Sequence, residues 1–124
     1  MKKFLLIEDD DIFNLIHNQL ILKTYPTAQI TIFKYAQQAL DHLILHAEEL
    51  PDVIFLDLNM PEMNGFEFIE ALNEHFDREK FKTEIYLVSS TLDDRDKQRA
   101  KSYSWVCDLI DKPLTTSFIE SLFI

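Results

Sequence analysis

Four acidic side chains in succession, Glu8-Asp9-Asp10-Asp11, follow the apolar run Phe4-Leu5-Leu6-Ile7. A second apolar run, Val53-Ile54-Phe55-Leu56, ends in Asp57, and Leu58 beyond it argues against a freely exposed turn. If the two runs are neighbouring strands, Asp57 lies beside Glu8 and Asp9. Two like charges ~4 Å apart repel by roughly 1 kcal/mol in water and several-fold more at partial burial. Three carboxylates therefore need a cation, or one of them must be protonated. Mg2+ fits, because it takes oxygen ligands and is usually held by one or two carboxylates plus a phosphate. Ca2+ could take the same ligands, but the twelve-residue Ca2+ loop is absent. A simpler reading covers part of the run: Asp10 or Asp11 caps the next helix, where acids suit the helix dipole. That explains one or two acids, not four at the end of a buried strand.

Two further residue types complete a phosphate chemistry. A hydroxyl in Val88-Ser89-Ser90-Thr91 either caps the following helix or bonds a phosphoryl oxygen. Lys112 precedes Pro113, whose ring keeps the lysine extended, so its ammonium can reach across the strand ends to the carboxylates. A surface lysine is the plainer reading of that residue alone. Gly65 is the only glycine in 124 residues and follows Asn64. Its position needs either left-handed backbone or the close approach of another group.

These residues must be positioned by regular elements. Short apolar runs read as strands at Lys3–Ile7, Gln29–Phe33, Val53–Leu56, Glu84–Val88 and Val106–Ile110. They are uninterrupted rather than alternating, which suits a parallel sheet covered on both faces. Between them, Ile12, Leu15, Ile16 and Leu20 form one helical stripe. Ala36, Ala39, Leu40, Leu43, Ile44 and Ala47 form a second, and Phe68, Ile69, Leu72 and Phe76 a third. The stretch Asp94–Ser104 reads as a weakly held helix, with only Leu92, Ala100 and Tyr103 as anchors, and Thr115–Phe123 as the last helix. Five strands alternating with five helices predict an α/β fold with right-handed crossovers. Ligands of such sheets sit at the carboxyl ends of the strands. The order of the signals then places the acid pair, Asp57, the hydroxyl and the Lys-Pro at one edge of one sheet.

Composition narrows the function classes. With 12 basic and 22 acidic residues the formal charge is −10, which disfavours nucleic acid, since that contact needs clustered cations. The size and the 47% hydrophobic content predict a single domain over residues 1–124 with its own core. No apolar run is long enough to span a bilayer, and the start is too short for a signal peptide. One cysteine, Cys107, cannot form an internal disulfide, which fits a cytoplasmic protein.

Taken together the motifs resemble the receiver domain of two-component response regulators, over essentially the whole chain. The matching features are Phe4–Asp9 with its acid pair, Asp57-Leu58-Asn59-Met60-Pro61 followed by Met63-Asn64-Gly65, Ser89, and Lys112-Pro113. The resemblance implies a flavodoxin-like, doubly wound (βα)5 three-layer sandwich with parallel strand order 2-1-3-4-5. It implies Asp57 as phosphoryl acceptor, and a Mg2+ held by Glu8, Asp9, Asp57 and the Asn59 carbonyl. Ser89 would bond the phosphoryl group, Lys112 would pair with Asp57 and then the phosphate, and the Lys112–Pro113 peptide would be cis. The implied partners are a sensor histidine kinase or a histidine phosphotransferase, an output protein, and in some states a second copy of the chain. With no output domain expected after the receiver domain, signalling would run through partner binding. The expected output face is the fourth helix with the fifth strand and helix.

Two positions depart from the family pattern. Leu109 stands where most members carry Tyr or Phe, so coupling through that aromatic is not expected, and packing, Tyr103 or Trp105 is left to carry it. Ser90 stands where Ala commonly follows the hydroxyl and would narrow access. Elsewhere, His42 and His46 have zinc-compatible spacing without a third ligand, His17 and His75 read as incidental, and Cys107 as a small buried hydrophobe. The expected function is that of a phosphorylation-dependent switch that assists its own phosphorylation and dephosphorylation. The alternative on the same fold is a phosphorylation-independent interaction module. A phosphatase of the haloacid-dehalogenase type needs a second Asp where this chain has Asn59.

Overall fold

The computed structural model describes residues 2–123. Five strands and five helices alternate: β1 (Lys3–Ile7), α1 (Asp11–Thr24), β2 (Gln29–Phe33), α2 (Ala36–Leu45), β3 (Val53–Asp57), α3 (Gly65–His75), β4 (Glu84–Ser89), α4 (Asp94–Lys101), β5 (Val106–Asp111) and α5 (Thr116–Ser121). All neighbouring strands pair in parallel, in the order β2-β1-β3-β4-β5. This is a flavodoxin-like, doubly wound architecture.

Because successive strand residues face opposite sides, the apolar runs feed two separate cores. Phe4 and Leu6 of β1 join Val53 and Phe55 of β3, Ile21 of α1 and Ile119 of α5 in one. Leu5 and Ile7 join Ile54 and Leu56, together with residues of α2 and α3 and Ala100 of α4, in the other. The sheet is thus the middle of three layers.

The uninterrupted-run argument holds for β1, β3 and β4, but not at the sheet edges. Ile32 of β2 is 40% exposed, and β5 has no fully buried residue. An edge strand has a neighbour on one side only, so its apolar residues are partly uncovered. Cys107 is exposed rather than buried. Ile85 pairs with Val106 and Tyr86 with Asp108, which leaves Cys107 as the extra residue of a β-bulge.

Helix α1 is rotated from its expected phase. Its inward residues are Asn14, His17 and Ile21, whereas Ile12 and Leu15 are 69% and 58% exposed. Polar groups that dock by hydrogen bonding set this phase, and apolar periodicity cannot register them. Helix α4 buries only Ala100, consistent with weak anchoring, and Leu92 is exposed. Ala47 lies beyond the end of α2 and is exposed.

Candidate functional site

Glu8 follows the last residue of β1, Asp57 ends β3, Ser89 ends β4, and Lys112 follows β5. The parallel register carries all four to the same edge of the sheet. Glu8, Asp9 and Asp57 each offer a carboxylate oxygen, and these atoms lie within 4.8 Å of one another. Among the described residues this is the one group of three or more acidic, histidine or cysteine side chains so placed. Glu8 and Asp57 are buried, and Asp9 is half-buried.

The Lys112 side chain is itself buried, with Nζ 2.7 Å from Glu8 Oε1 and 3.3 Å from Asp57 Oδ1. Its stem does reach across the strand ends, and the Lys112–Pro113 peptide that follows it is cis. The Phe13 ring lies against the same ammonium, 4.3 Å from centroid to Nζ, adding a cation–π contact. One ammonium faces three carboxyl groups, and the imbalance registers at Glu8. Burial, reinforced by the neighbouring Asp57 carboxylate and opposed by Lys112, pushes its carboxyl up to about 7. Burial opposes the charge on Lys112, but Glu8 and Asp57 outweigh it and raise the ammonium.

Backbone amides finish the carboxylate positions. The Asp10 amide donates to Glu8 Oε2 at 3.2 Å, and the Asn59 amide to Asp57 Oδ1 at 3.3 Å. Asp10 also caps α1, accepting from the Ile12 and Phe13 amides, so the plain capping reading is right for that acid. Fully buried Ser89 donates its hydroxyl proton to the Thr91 carbonyl at 2.9 Å. Ser89 Oγ accepts from Asn59 Nδ2 and from the Thr91 amide, each at 3.2 Å. Asn59 therefore links the strand-three carboxylate to the strand-four hydroxyl. Ser90 is exposed.

The loop from Asp57 to α3 shows why glycine stands at 65. Asn64 caps α3 in a capping box with Glu67. The φ of Gly65 is not positive; the residue with positive φ is Glu62, at 70°. A Cβ on Gly65 would meet Leu87 Cδ2 at 2.8 Å, Leu58 Cα at 3.1 Å and the Asp57 carbonyl oxygen at 3.3 Å. Of the two requirements open in the sequence, close approach is the operative one.

Sequence reasoning passed over Asn14 and read His17 as incidental, yet the structure brings both to this site's supports. Asn14 Nδ2 donates to the Glu8 carbonyl at 2.9 Å, and His17 Nε2 accepts the Leu114 amide at 3.1 Å. The available signal was their i, i+3 spacing, in phase with Ile21, on a helix that starts at the last acid of the run. Burial and the Lys112 charge push His17 down to about 4.

Glu8 and His17 oppose each other in acid. Between about 4.5 and 7 the folded state holds a proton on Glu8 that the unfolded chain releases, so that contribution to stability falls as pH rises. Between about 4 and 6.5 the unfolded chain protonates His17 while the folded state does not, so that contribution rises with pH. His17→Gln, which cannot titrate, is expected to leave a stability that declines from pH 5 to pH 7. Urea unfolding of metal-free protein at those two pH values checks the sign.

The other candidates stay apart. Leu109 is half-buried and packs on the α2–α3–α4 side of the sheet. Tyr103 stacks on Phe66 and donates to Glu70, and Trp105 donates to Asn73, so both are anchored to α3. The His42 and His46 rings lie 4.4 Å apart and join no larger ligand group. His75 is exposed, its Nδ1 2.9 Å from the Ala71 carbonyl oxygen.

Comparison with known proteins agrees with the fold. The family model of the response regulator receiver domain matches residues 4–122, and the chain belongs to that family. It is similar to a two-component response regulator from Cytophaga hutchinsonii, with TM-score 0.90 at 34% identity, covering 99% of this chain and 94% of that one. A probable methanogenesis regulatory protein from Methanothrix harundinacea is 32% identical over 118 residues, 90% of this chain and 72% of that protein. Stress response regulator protein 1 from Lodderomyces elongisporus is 40% identical over 74 residues, 56% of this chain but only 18% of its own length. Receiver domains generally act in phosphorelay signalling, as phospho-acceptor switches rather than classical enzymes, with a kinase or phosphotransfer protein as partner. Among the described residues no helix is long and apolar enough to cross a membrane.

Proposed function

We propose that this chain is a Mg2+-dependent switch that accepts a phosphoryl group on Asp57 from a histidine kinase or histidine phosphotransferase. The observation that carries the reading is the meeting of the Glu8, Asp9 and Asp57 carboxylates, with the single ammonium of Lys112 on Glu8 and Asp57. Three carboxyl groups against one cation leave a charge deficit, and every donor is a hard oxygen. Mg2+ fits such a set. Glu8, Asp9, Asp57 and the Asn59 carbonyl would hold the ion, which when bound neutralises charge on the transferred group.

The protein's own groups do the rest. An Asp57 carboxylate oxygen attacks the donor phosphorus; the new O–P bond forms as the bond to the donor's leaving group breaks, and the leaving group keeps that electron pair. Lys112 passes from the free carboxylate to a phosphoryl oxygen, a charge aimed where negative charge accumulates. Ser89 supplies a further donor once its proton leaves the Thr91 carbonyl. That exchange draws the β4–α4 connection toward the site and biases an existing equilibrium of the surface beyond it. Support for a mobile surface comes from α4, which buries one residue, and from a groove of about 560 Å3 lined by Leu92, Lys97, Ala100, Val106 and Leu109. Leu109 transmits the change by packing rather than by an aromatic hydroxyl. The α4–β5–α5 surface then presents to an output protein, and the setting is cytoplasmic.

Purified protein incubated with acetyl phosphate and Mg2+ is expected to gain one phosphoryl group per chain, and none in magnesium-free buffer. Release of many phosphates per chain without a stoichiometric mass gain would favour a hydrolase. A partner affinity unchanged by phosphorylation would favour the constitutive interaction module.

A further inference from the structure

The loop after β5 delivers Lys112 to the site, yet few bonds hold it. The Lys112 amide donates to the Ser89 carbonyl at 2.9 Å. Pro113 has no amide to donate. The next anchor is the Leu114 amide, and its acceptor is His17 Nε2. His17 and Leu114 are 2% and 3% exposed, so without this acceptor the amide would be buried and unpaired, which is costly.

Helix α1 holds both halves of the site's ion pair. Asn14 bonds the carbonyl of Glu8, while His17 bonds the amide two residues beyond Lys112. Phe13, one residue before Asn14, lies against the ammonium, and its ring is 5.9 Å from that of His17. Three side chains on one helix thus reach the carboxylate strand, the ammonium and the lysine loop. We infer that His17 is a positioning residue: its bond to the Leu114 amide sets where the Lys112 ammonium sits over Glu8 and Asp57. A backbone amide can only donate, so Nε2 is the bare nitrogen and Nδ1 carries the proton. Burial keeps the ring neutral, and Lys112 is the charged group acting on it. Its consequence for phosphoryl transfer rests on the proposed role of Asp57; the placement of Lys112 does not.

Two variants separate positioning from packing. His17→Leu fills space without an acceptor, and His17→Gln restores an oxygen near the position of Nε2. In metal-free protein the 15Nζ resonance of Lys112 is expected to move in the Leu variant and to return toward the wild-type position in the Gln variant. An unmoved resonance in a folded His17→Leu protein overturns the inference, whether or not Asp57 accepts phosphate. With acetyl phosphate and Mg2+, His17→Leu is expected to slow labelling by on the order of tenfold, since small misplacements of catalytic groups are that costly. His17→Gln should recover most of the loss. In a Lys112→Ala background His17→Leu should slow labelling no further, because residues acting through one another are not additive. An equal loss in that background would also overturn it. Where His17→Leu does not fold, His17→Asn, too short to reach the amide, is expected to behave in its place. Failure of the wild-type protein to label at all would instead count against the role of Asp57.

Discussion

Lys112→Ala is expected to lower the stability of the metal-free protein by about 3–5 kcal/mol at pH 8, the usual range for removing one partner of a buried ion pair. At pH 5 the loss should be much smaller. The sign follows from Glu8, whose carboxyl already binds a proton more tightly in the folded state than in the unfolded chain. Removing the ammonium 2.7 Å away strengthens that preference. The folded state must then either keep the proton at alkaline pH or hold three carboxylates together unpaired, and both become more costly as pH rises. Adding Mg2+ should restore much of the stability at pH 8, because the carboxylates that would hold it remain. Denaturant unfolding at pH 5 and pH 8, with and without Mg2+, gives all four values. The same variant is expected to blunt the signal: phosphorylation should leave the amide spectrum of α4 and β5 nearly unchanged.

The second large effect is at Gly65. Alanine there is expected to destabilise the protein by about 1–3 kcal/mol, as overpacking does in a filled core. Higher helix propensity works the other way, but by at most roughly 1 kcal/mol in a helix interior. The decision rests on which atoms must move. Leu87 Cδ2 is the tip of a side chain and can yield, whereas Leu58 Cα and the Asp57 carbonyl are backbone directly beside the proposed acceptor carboxylate. Phosphoryl labelling of Gly65→Ala should therefore slow as well as its unfolding midpoint fall. Unchanged stability and labelling would mean that the loop yields freely.

Much of this molecule could be read before its coordinates. Val53 to Leu56 form a continuous apolar run because β3 lies mid-sheet between two helical layers, and the run stops at Asp57. The same logic located Glu8, Ser89 and Lys112, since a parallel sheet brings alternate loops to one edge. It failed where burial is not apolar. Asn14 and His17 face inward because each satisfies a backbone group of a neighbouring loop, and no hydrophobic period reveals that. It failed at the edges too: Cys107 has strand neighbours in sequence but is the bulged residue of β5. Gly65 showed that something special was required, but only the packing of Leu87 and Leu58 distinguishes close approach from positive φ.

The proposed function rests on a carboxylate oxygen of Asp57 forming a new bond to phosphorus. The most direct measurement is the intact mass of wild-type and Asp57→Asn proteins after incubation with acetyl phosphate and Mg2+. One added phosphoryl group on the wild type and none on the variant is the predicted result. Equal labelling of both proteins would place the acceptor elsewhere and contradict it.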